Sequence, residues 1–321
     1  MAVYTDVSFE DLEALLDNYD IGAPTSFKGI AEGVENSNFF LQTTKKSYIL
    51  TLYEKRVAAA DLPFFLGLME HLSKRGLACP VPVRSKSGNQ SFILNGRPGA
   101  ILSFLEGISL RRPEPIHCAA VGAALGDLHA ASQGYAIKRQ NDLSLDGWKI
   151  LASQIHQRSG DIHGDFKSLI SNSLSTLTME WPTALPSGVI HADLFTDNVL
   201  FVNGKVSGLI DFYFACNDFY AYDLAIMLNA WCFEQDGAFN LTKAKHLIAG
   251  YRSHRELNAE ECAAIPILAQ GAALRFFLTR LYDWLNTDPG AFVSRKDPLD
   301  FAKRLRFHMK AKAPAEYGLW L

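Results

Sequence analysis

The sequence predicts an α+β protein of two lobes, a smaller strand-rich lobe followed by a larger, mainly helical one. Three observations predict it. The chain has 321 residues, more than a single core usually organises. Short apolar runs bounded by turn residues crowd the stretch up to residue 103. From residue 117 onward, apolar residues recur mainly at helical spacing.

The small lobe opens on a helix. Ser8 is its N-cap, Leu12, Leu15 and Leu16 form its apolar stripe, and Gly22-Ala23-Pro24 closes it. Strands are expected over 38–43 and 48–53, joined by a turn at Thr44-Lys45-Lys46. The stretch before them, 27–38, contains Gly29 and Gly33, and such a loop can offer backbone N–H groups to phosphates. A plain hairpin loop is the other reading. A helix over 61–74 carries Pro63 in its first turn and ends at Gly76. Pro80 and Pro82 bracket an extended segment, and strands over 91–94 and 100–104 flank a turn at 95–99.

The large lobe opens on an alanine-rich helix over 117–132, whose His129 reads as a packed or capping histidine. A polar loop is expected over 141–148 and helical structure over 149–180. Tyr222-Asp223-Leu224-Ala225-Ile226 opens another helix, which Asp223 can cap. Residues 272–285 form a further one, with Arg275 and Arg280 off its apolar stripe. The predicted division is 1–103, a connection at 104–107, and 108–321.

Composition excludes some function classes. Hydrophobic residues are 48% and charged residues 20%, the balance of an ordinary globular protein. With 31 basic against 34 acidic residues there is no surplus to neutralise nucleic acid. Five scattered cysteines, none in a Cys-x-x-Cys pair, suggest reduced thiols in a cytoplasmic protein. No basic-then-apolar leader opens the chain, and no run of about 18 uncharged apolar residues occurs, so neither signal peptide nor membrane span is expected.

The chemistry concentrates at His191-Ala192-Asp193-Leu194-Phe195-Thr196-Asp197-Asn198. Apolar strand-like runs flank it, and a further run at 206–210 ends in Asp211. The two apolar strands deliver Asp193, Asn198 and Asp211 to one neighbourhood. Two carboxylates and an amide are hard oxygen donors, suited to accepting a hydroxyl proton and ligating magnesium. A polar loop closed by good turn formers is the bland alternative. It does not explain a second acid at the end of an apolar strand.

His-x-Asp-Leu-x-x-x-Asn at 191–198 resembles the catalytic loop of protein-kinase-like phosphotransferases, and Ile210-Asp211-Phe212 resembles their metal-binding Asp-Phe-Gly, with Tyr213 where Gly is usual. The chain is similar to the aminoglycoside- and choline-kinase-like group, and within it to the homoserine kinases. Gly29–Phe40, Leu62–Phe65, His191–Phe195, Ile210–Tyr213, Tyr222–Ile226 and Arg275–Leu281 carry that likeness. It implies a two-lobed protein-kinase-like fold and transfer of the γ-phosphoryl group of ATP to the hydroxyl of L-homoserine, with Mg2+ as cofactor. Asp193 would accept the hydroxyl proton, His191 would brace the loop, and Asn198 and Asp211 would hold the metal. Gly29, Gly33 and Ser37 would cover the nucleotide. Ser103, Phe104 and Leu105 would lie at the hinge, where free backbone groups pair with adenine. Asp223 would prop the catalytic loop. The strand position that usually carries a phosphate-facing Lys is Thr51 here, with Lys55 and Arg56 just beyond; the uncharged residue also resembles this subgroup.

Homoserine is a zwitterion, so its site must satisfy a carboxylate and an ammonium. An Arg fork suits the carboxylate, which points to Arg275. Asn217 and Asp218 offer oxygens to the ammonium, and Tyr222 borders them. Two other readings stay open at this level: a kinase of another small alcohol such as choline, methylthioribose or an aminoglycoside, and a nucleotide-sensing pseudokinase. Nucleic acid and membrane are not expected partners, and the oligomeric state is open.

Overall fold

The computed structural model describes residues 5–30, 36–54, 57–287 and 295–319, and the chain divides into two units. The first holds 5–106 and Gly208–Tyr213; the second holds Gly107–Ser207 and the described residues from Phe214 on.

In the first unit, α1 (Phe9–Leu16) begins at Ser8, whose Oγ accepts from Asp11 N at 3.1 Å while Asp11 Oδ2 accepts from Ser8 N at 3.4 Å. The reciprocal pair satisfies two otherwise orphaned donors. Five strands follow: β1 (Pro24–Gly29), β2 (Asn36–Thr43), β3 (Ser47–Tyr53), β4 (Phe92–Leu94) and β5 (Arg97–Ser103). They form one antiparallel sheet in the order β1-β2-β3-β5-β4. Phe39, Leu41, Leu50, Leu52 and Ile101 pack with Leu12, Leu15 and Leu16 of α1. Edge strand β1 was not anticipated, because none of its residues is fully buried and no apolar alternation announces it. The turn expected over 95–99 is only Asn95-Gly96, with φ of 50° and 73°. Two residues with positive φ suffice for a tight hairpin. The strand resumes at once, and Pro98 sits in β5 opposite Ile93. α2 (Leu62–Lys74) follows a short turn of 3-10 helix and keeps Pro63 in its first turn.

The second unit is built on α3 (Pro115–Ala131), α4 (Leu145–Ile162) and α5 (Phe166–Glu180). The polar loop expected over 141–148 ends early, since α4 starts at Leu145. The helical stretch expected over 149–180 is two helices separated at His163-Gly164-Asp165. Strands β6 (Ser187–Ile190), β7 (Val199–Val202), β8 (Lys205–Leu209) and β9 (Cys216–Phe219) come next; β6 pairs with β9, and β7 with β8. Asn203-Gly204, with φ of 51° and 76°, turns β7 into β8. Gly208 and Leu209 at the end of β8 belong to the first unit, where Leu209 N–H donates to Ala78 O.

Then come α6 (Tyr220–Trp231), α7 (Leu241–Arg252), α8 (Ala259–Asn286) and α9 (Pro298–Lys310). α3 and α7 cross closely: a Cβ on Gly122 would lie 2.0 Å from Leu247 O, and one on Gly250 would lie 2.0 Å from Ala119 O. No side chain fits at either position. α8 is long and apolar enough to cross a membrane by length and composition, yet 78% of its most apolar window is buried inside the protein. Its apolar surface is used by the core. All five cysteines are buried and free.

Candidate active site

The loop between β6 and β7 carries residues 191–198. His191 is fully buried, and its N–H donates to Asp223 Oδ2 at 2.7 Å. Ala192 N–H donates to Asp223 Oδ1 at 2.9 Å. One carboxylate thus holds two successive amides of the loop. Ala192 has φ of 63°, a left-handed conformation rare for a residue with a Cβ, and it needs such partners to persist. Its carbonyl accepts from Arg275 Nη1. Asp193 N–H donates to His191 Nδ1 at 3.3 Å, so that nitrogen is the acceptor of the ring. Asn198 Nδ2 donates to Asp193 O at 2.8 Å and Oδ2 at 3.3 Å. Trp231 Nε1 donates to Leu194 O at 2.9 Å. The loop is held through its backbone, and Asp193 is half-buried.

Asp223 does not cap α6; its oxygens point at the loop. It also meets His129 Nε2 at 3.1 Å, and His129 Nδ1 meets Tyr251 Oη at 2.8 Å. Arg255 donates to that hydroxyl at 3.0 Å. One assignment satisfies all of them: a neutral His129 donates from Nε2 and accepts the Tyr251 proton at Nδ1. Burial is the largest influence on His129 and pushes its pKa down, against the pull of Asp223. Burial also opposes charge on Asp223, but the hydrogen bonds from His129 and from the His191 backbone outweigh it, holding the carboxyl below its usual range. His129 is the packed histidine the sequence suggested, and its bond to Asp223 was the part not read there. Its place in Leu125-Gly126-Asp127-Leu128-His129 was the available signal.

In the first unit, Asp211 follows β8 with φ of 64°, which an Asp tolerates better than most residues. Tyr53 Oη donates to Tyr213 Oη at 3.1 Å. Burial first, and the nearby Asp211 charge after it, push both phenols up, so both stay protonated. Thr51 is 1% exposed and donates to Asn38 Oδ1 at 2.8 Å. The position that usually carries a charge is therefore part of a neutral hydroxyl and amide cluster. Lys55, Arg56 and Gly33 lie outside the described residues.

A hard cation wants oxygen. Asp211 supplies a carboxylate. The Nδ2 of Asn198 is committed to Asp193, which turns its amide oxygen to the other side. Each of these oxygens, taken by itself, is of the kind magnesium takes, since that ion uses one or two protein oxygens and completes its shell with phosphates and water. Among the described residues no group of three or more His, Cys, Asp or Glu could enclose a metal.

The other expected contacts divide. Gly29 ends β1, and Ile30 N–H beyond it donates to Asn38 O at 2.8 Å. Ser37 is fully buried and donates to Glu54 Oε1 at 2.7 Å, so its hydroxyl faces the interior rather than a nucleotide. Ser103 is also occupied: its N–H donates to Val81 O at 2.9 Å and its Oγ accepts from Val81 N at 2.9 Å. Phe104 is exposed, edge-on to Phe40, and the N–H groups of Phe104 and Leu105 meet no backbone acceptor among the described residues. Asn217 Oδ1 accepts from Arg139 N at 2.9 Å, which spends that oxygen on the loop before α4. Tyr222 is fully buried between Trp148 and Trp181, its hydroxyl without a hydrogen-bond partner.

Arg275 corrects an expectation. It is 2% exposed, bonded to Ala192 O, and stacked near Phe276 and Phe214. It is not an open fork for a substrate carboxylate. Bordering an apolar stripe, it points inward to the catalytic loop. Asp218 remains a candidate contact. Its Oδ2 accepts from Asn141 at 2.7 Å and its Oδ1 from Phe219 N at 2.7 Å. Burial pushes its pKa up despite those bonds, and no cation lies at ion-pair distance among the described residues.

Comparison with known proteins is consistent with this geometry. Residues 26–257 match the phosphotransferase enzyme family. The chain is 57% identical over 321 residues to the homoserine kinase of Rhizobium johnstonii, covering 100% of both chains. It is 58% identical over 318 residues to the homoserine kinase of Methylobacterium nodulans, covering 99% of each. Among solved structures, an amicoumacin kinase in complex with AMP-PNP and Ca2+ shares the fold with a TM-score of 0.70 at 16% identity, over 95% of this chain and 94% of that one.

Proposed function

Because the chain belongs to the phosphotransferase enzyme family, and within it to the homoserine kinases, we infer that it transfers the γ-phosphoryl group of ATP to the hydroxyl of L-homoserine, giving O-phospho-L-homoserine and ADP. The observation that carries this reading is identity of 57% over the full length of both chains. The product belongs on the route to threonine. Five free, buried thiols suit a reducing cytoplasm.

The steps follow from the chain's own residues. The homoserine oxygen forms a bond to the γ-phosphorus, the bond from that phosphorus to the bridging oxygen breaks, and the hydroxyl proton passes to the Asp193 carboxylate. Asp193 can do this because its backbone is held by His191 and Asn198 while the residue is only half-buried. Asn198 directly precedes β7 and Asp211 follows β8, and the two-residue Asn203-Gly204 turn joins those strands. We read each of them as a magnesium ligand, as the motif implies. Magnesium bound there neutralises charge on the phosphates. Thr51 itself adds no charge to that task. The backbone of Phe104 and Leu105, whose N–H groups meet no backbone acceptor among the described residues, offers groups to the adenine edge.

Asp218 is the seat we assign to the substrate ammonium. A largely desolvated carboxylate whose hydrogen-bond donors are neutral, and which feels Arg275 only at a distance, gains from a cation at contact. A polycationic aminoglycoside would need more anionic partners. Of the other acids over 213–235, Asp223 is committed to the catalytic-loop amides and Glu234 is paired with Lys243 at 2.6 Å.

Homoserine-dependent release of ADP tests the reading, and its absence in folded protein would overturn it. Asp211→Ala is expected to abolish the strengthening of ATP binding by magnesium. Calorimetric titrations of ATP with and without the metal measure this. If magnesium still tightens binding as in the wild type, Asp211 is structural only.

A further inference from the structure

We propose that Arg275 is a positioning residue for the reaction: it sets the direction of the Asp193 carboxylate by fixing the peptide that joins Ala192 to Asp193. This rests on the reading of Asp193 as the proton acceptor.

That peptide is held at both ends. Its carbonyl, from Ala192, accepts from Arg275 Nη1. Its N–H, from Asp193, donates to His191 Nδ1 at 3.3 Å. The preceding peptide is held by Asp223 through Ala192 N–H. Between them lies a left-handed alanine with φ of 63°. A residue with a Cβ occupies that region only when its surroundings over-determine it. Remove the Arg275 contact and the peptide can rotate toward commoner dihedrals, carrying the Asp193 Cα–Cβ bond with it.

Beyond Ala192, Arg275 meets its surroundings chiefly through its charge, which is felt at Tyr222 and Asp218. Among the described residues no carboxylate lies within ion-pair distance of it. Its Nε is buried without a hydrogen-bond partner. Burying a guanidinium in this way is costly, and stability alone is poorly served by it. Phe276 at 4.6 Å and Phe214 at 5.5 Å from the guanidinium carbon form aromatic contacts that hold its plane. The side chain rises from α8, a helix of 28 residues, so the contact is referred to a rigid element. Asp223 and Arg275 therefore grip the same residue from α6 and α8, one through its N–H and the other through its carbonyl.

The test compares Arg275→Met, which keeps the bulk and removes the donor, with Arg275→Gln, which keeps a shorter neutral donor. The Met variant is expected to lose about 10²-fold in kcat, because a small misplacement of a reacting group costs that much. Its KM for homoserine and for ATP should stay within about threefold of wild type, since neither is read here as touching Arg275. Added guanidinium should raise the rate of Arg275→Ala and leave the wild type unchanged. Amide exchange at Ala192 and Asp193 should quicken in the Met variant, while the rest of α8 stays protected. A folded Met variant with wild-type kcat overturns the proposal. So does a loss confined to KM for homoserine, which would make Arg275 a substrate contact. If the Met variant does not fold, the Gln variant is read by the same two criteria. Failure of the functional reading looks different: the wild type itself then releases no ADP in response to homoserine, and the same Arg275 comparison is run with whichever alcohol it does phosphorylate.

Discussion

Asp193→Asn is expected to lower kcat for phosphoryl transfer by about 10²–10⁴-fold, the range for loss of a positioned proton acceptor. The substitution keeps the shape of the side chain. Its amide oxygen can still accept from Asn198 Nδ2, now at 3.3 Å from a carboxylate oxygen. The backbone bonds from Asn198 and to His191 do not involve the side chain at all. The loop should therefore keep its form, and ATP affinity should change little. What is lost is basicity at the atom that takes the hydroxyl proton. Steady-state ADP release gives kcat, and calorimetry gives the ATP dissociation constant. Turnover near wild type would remove Asp193 from the chemistry. A parallel collapse of ATP binding would instead mark it as structural.

Asp223→Ala is expected to cost both stability and rate. The carboxylate accepts from His191 N, Ala192 N and His129 Nε2, all on residues at or near full burial. Truncation orphans three donors, each worth about 1–3 kcal/mol when left unpaired. Partial relaxation and water entry reduce the sum, so a net loss of about 3–5 kcal/mol is expected, the range for breaking a buried pair. Thermal unfolding measures it. Ala192 also loses half of what keeps it left-handed, so kcat should fall about 10²-fold even below the melting range. The acid limb adds a signature. The folded carboxyl titrates below its ordinary 3.8. Its contribution is complete above that value and is lost as pH falls through the folded pKa. The variant should therefore show a shallower decline in stability below about pH 4 than the wild type. An unchanged melting temperature together with unchanged kcat would contradict the bracing role.

The legible parts of the fold were those with local causes. The Ser8 cap, the stripe of α1, Pro63 in α2 and the alternation of Phe39, Leu41, Leu50 and Leu52 each announce themselves within a few residues. α7 and α9 were missed because their buried residues are few and interleaved with lysines, as Ala244, Leu247 and Ile248 are beside Lys243 and Lys245. β1 was missed because an edge strand need not alternate. The return of Gly208–Tyr213 to the first unit depends on contacts remote in sequence, such as Leu209 with Ala78.

The site was legible to the same degree. Asp193, Asn198 and Asp211 stand in one short motif. Bracing depends on pairs far apart in the chain: His129 meets Asp223 across 94 positions, and Arg275 meets Ala192 across 83. An arginine beside an apolar stripe can point either way, and only packing decides. Ser37 was misread for a similar reason, since its burial is set by Glu54 on the far side of a strand pair.

The most direct measurement is ADP release with homoserine, choline, methylthioribose and kanamycin in turn, with the phosphorylated product identified by phosphorus NMR. The account predicts that homoserine is phosphorylated on its hydroxyl with kcat/KM at least about 10²-fold above the other three, the margin that a site built around a substrate's polar groups can give. Equal or better turnover of another alcohol, or ATP binding with no alcohol-dependent release at all, would contradict it.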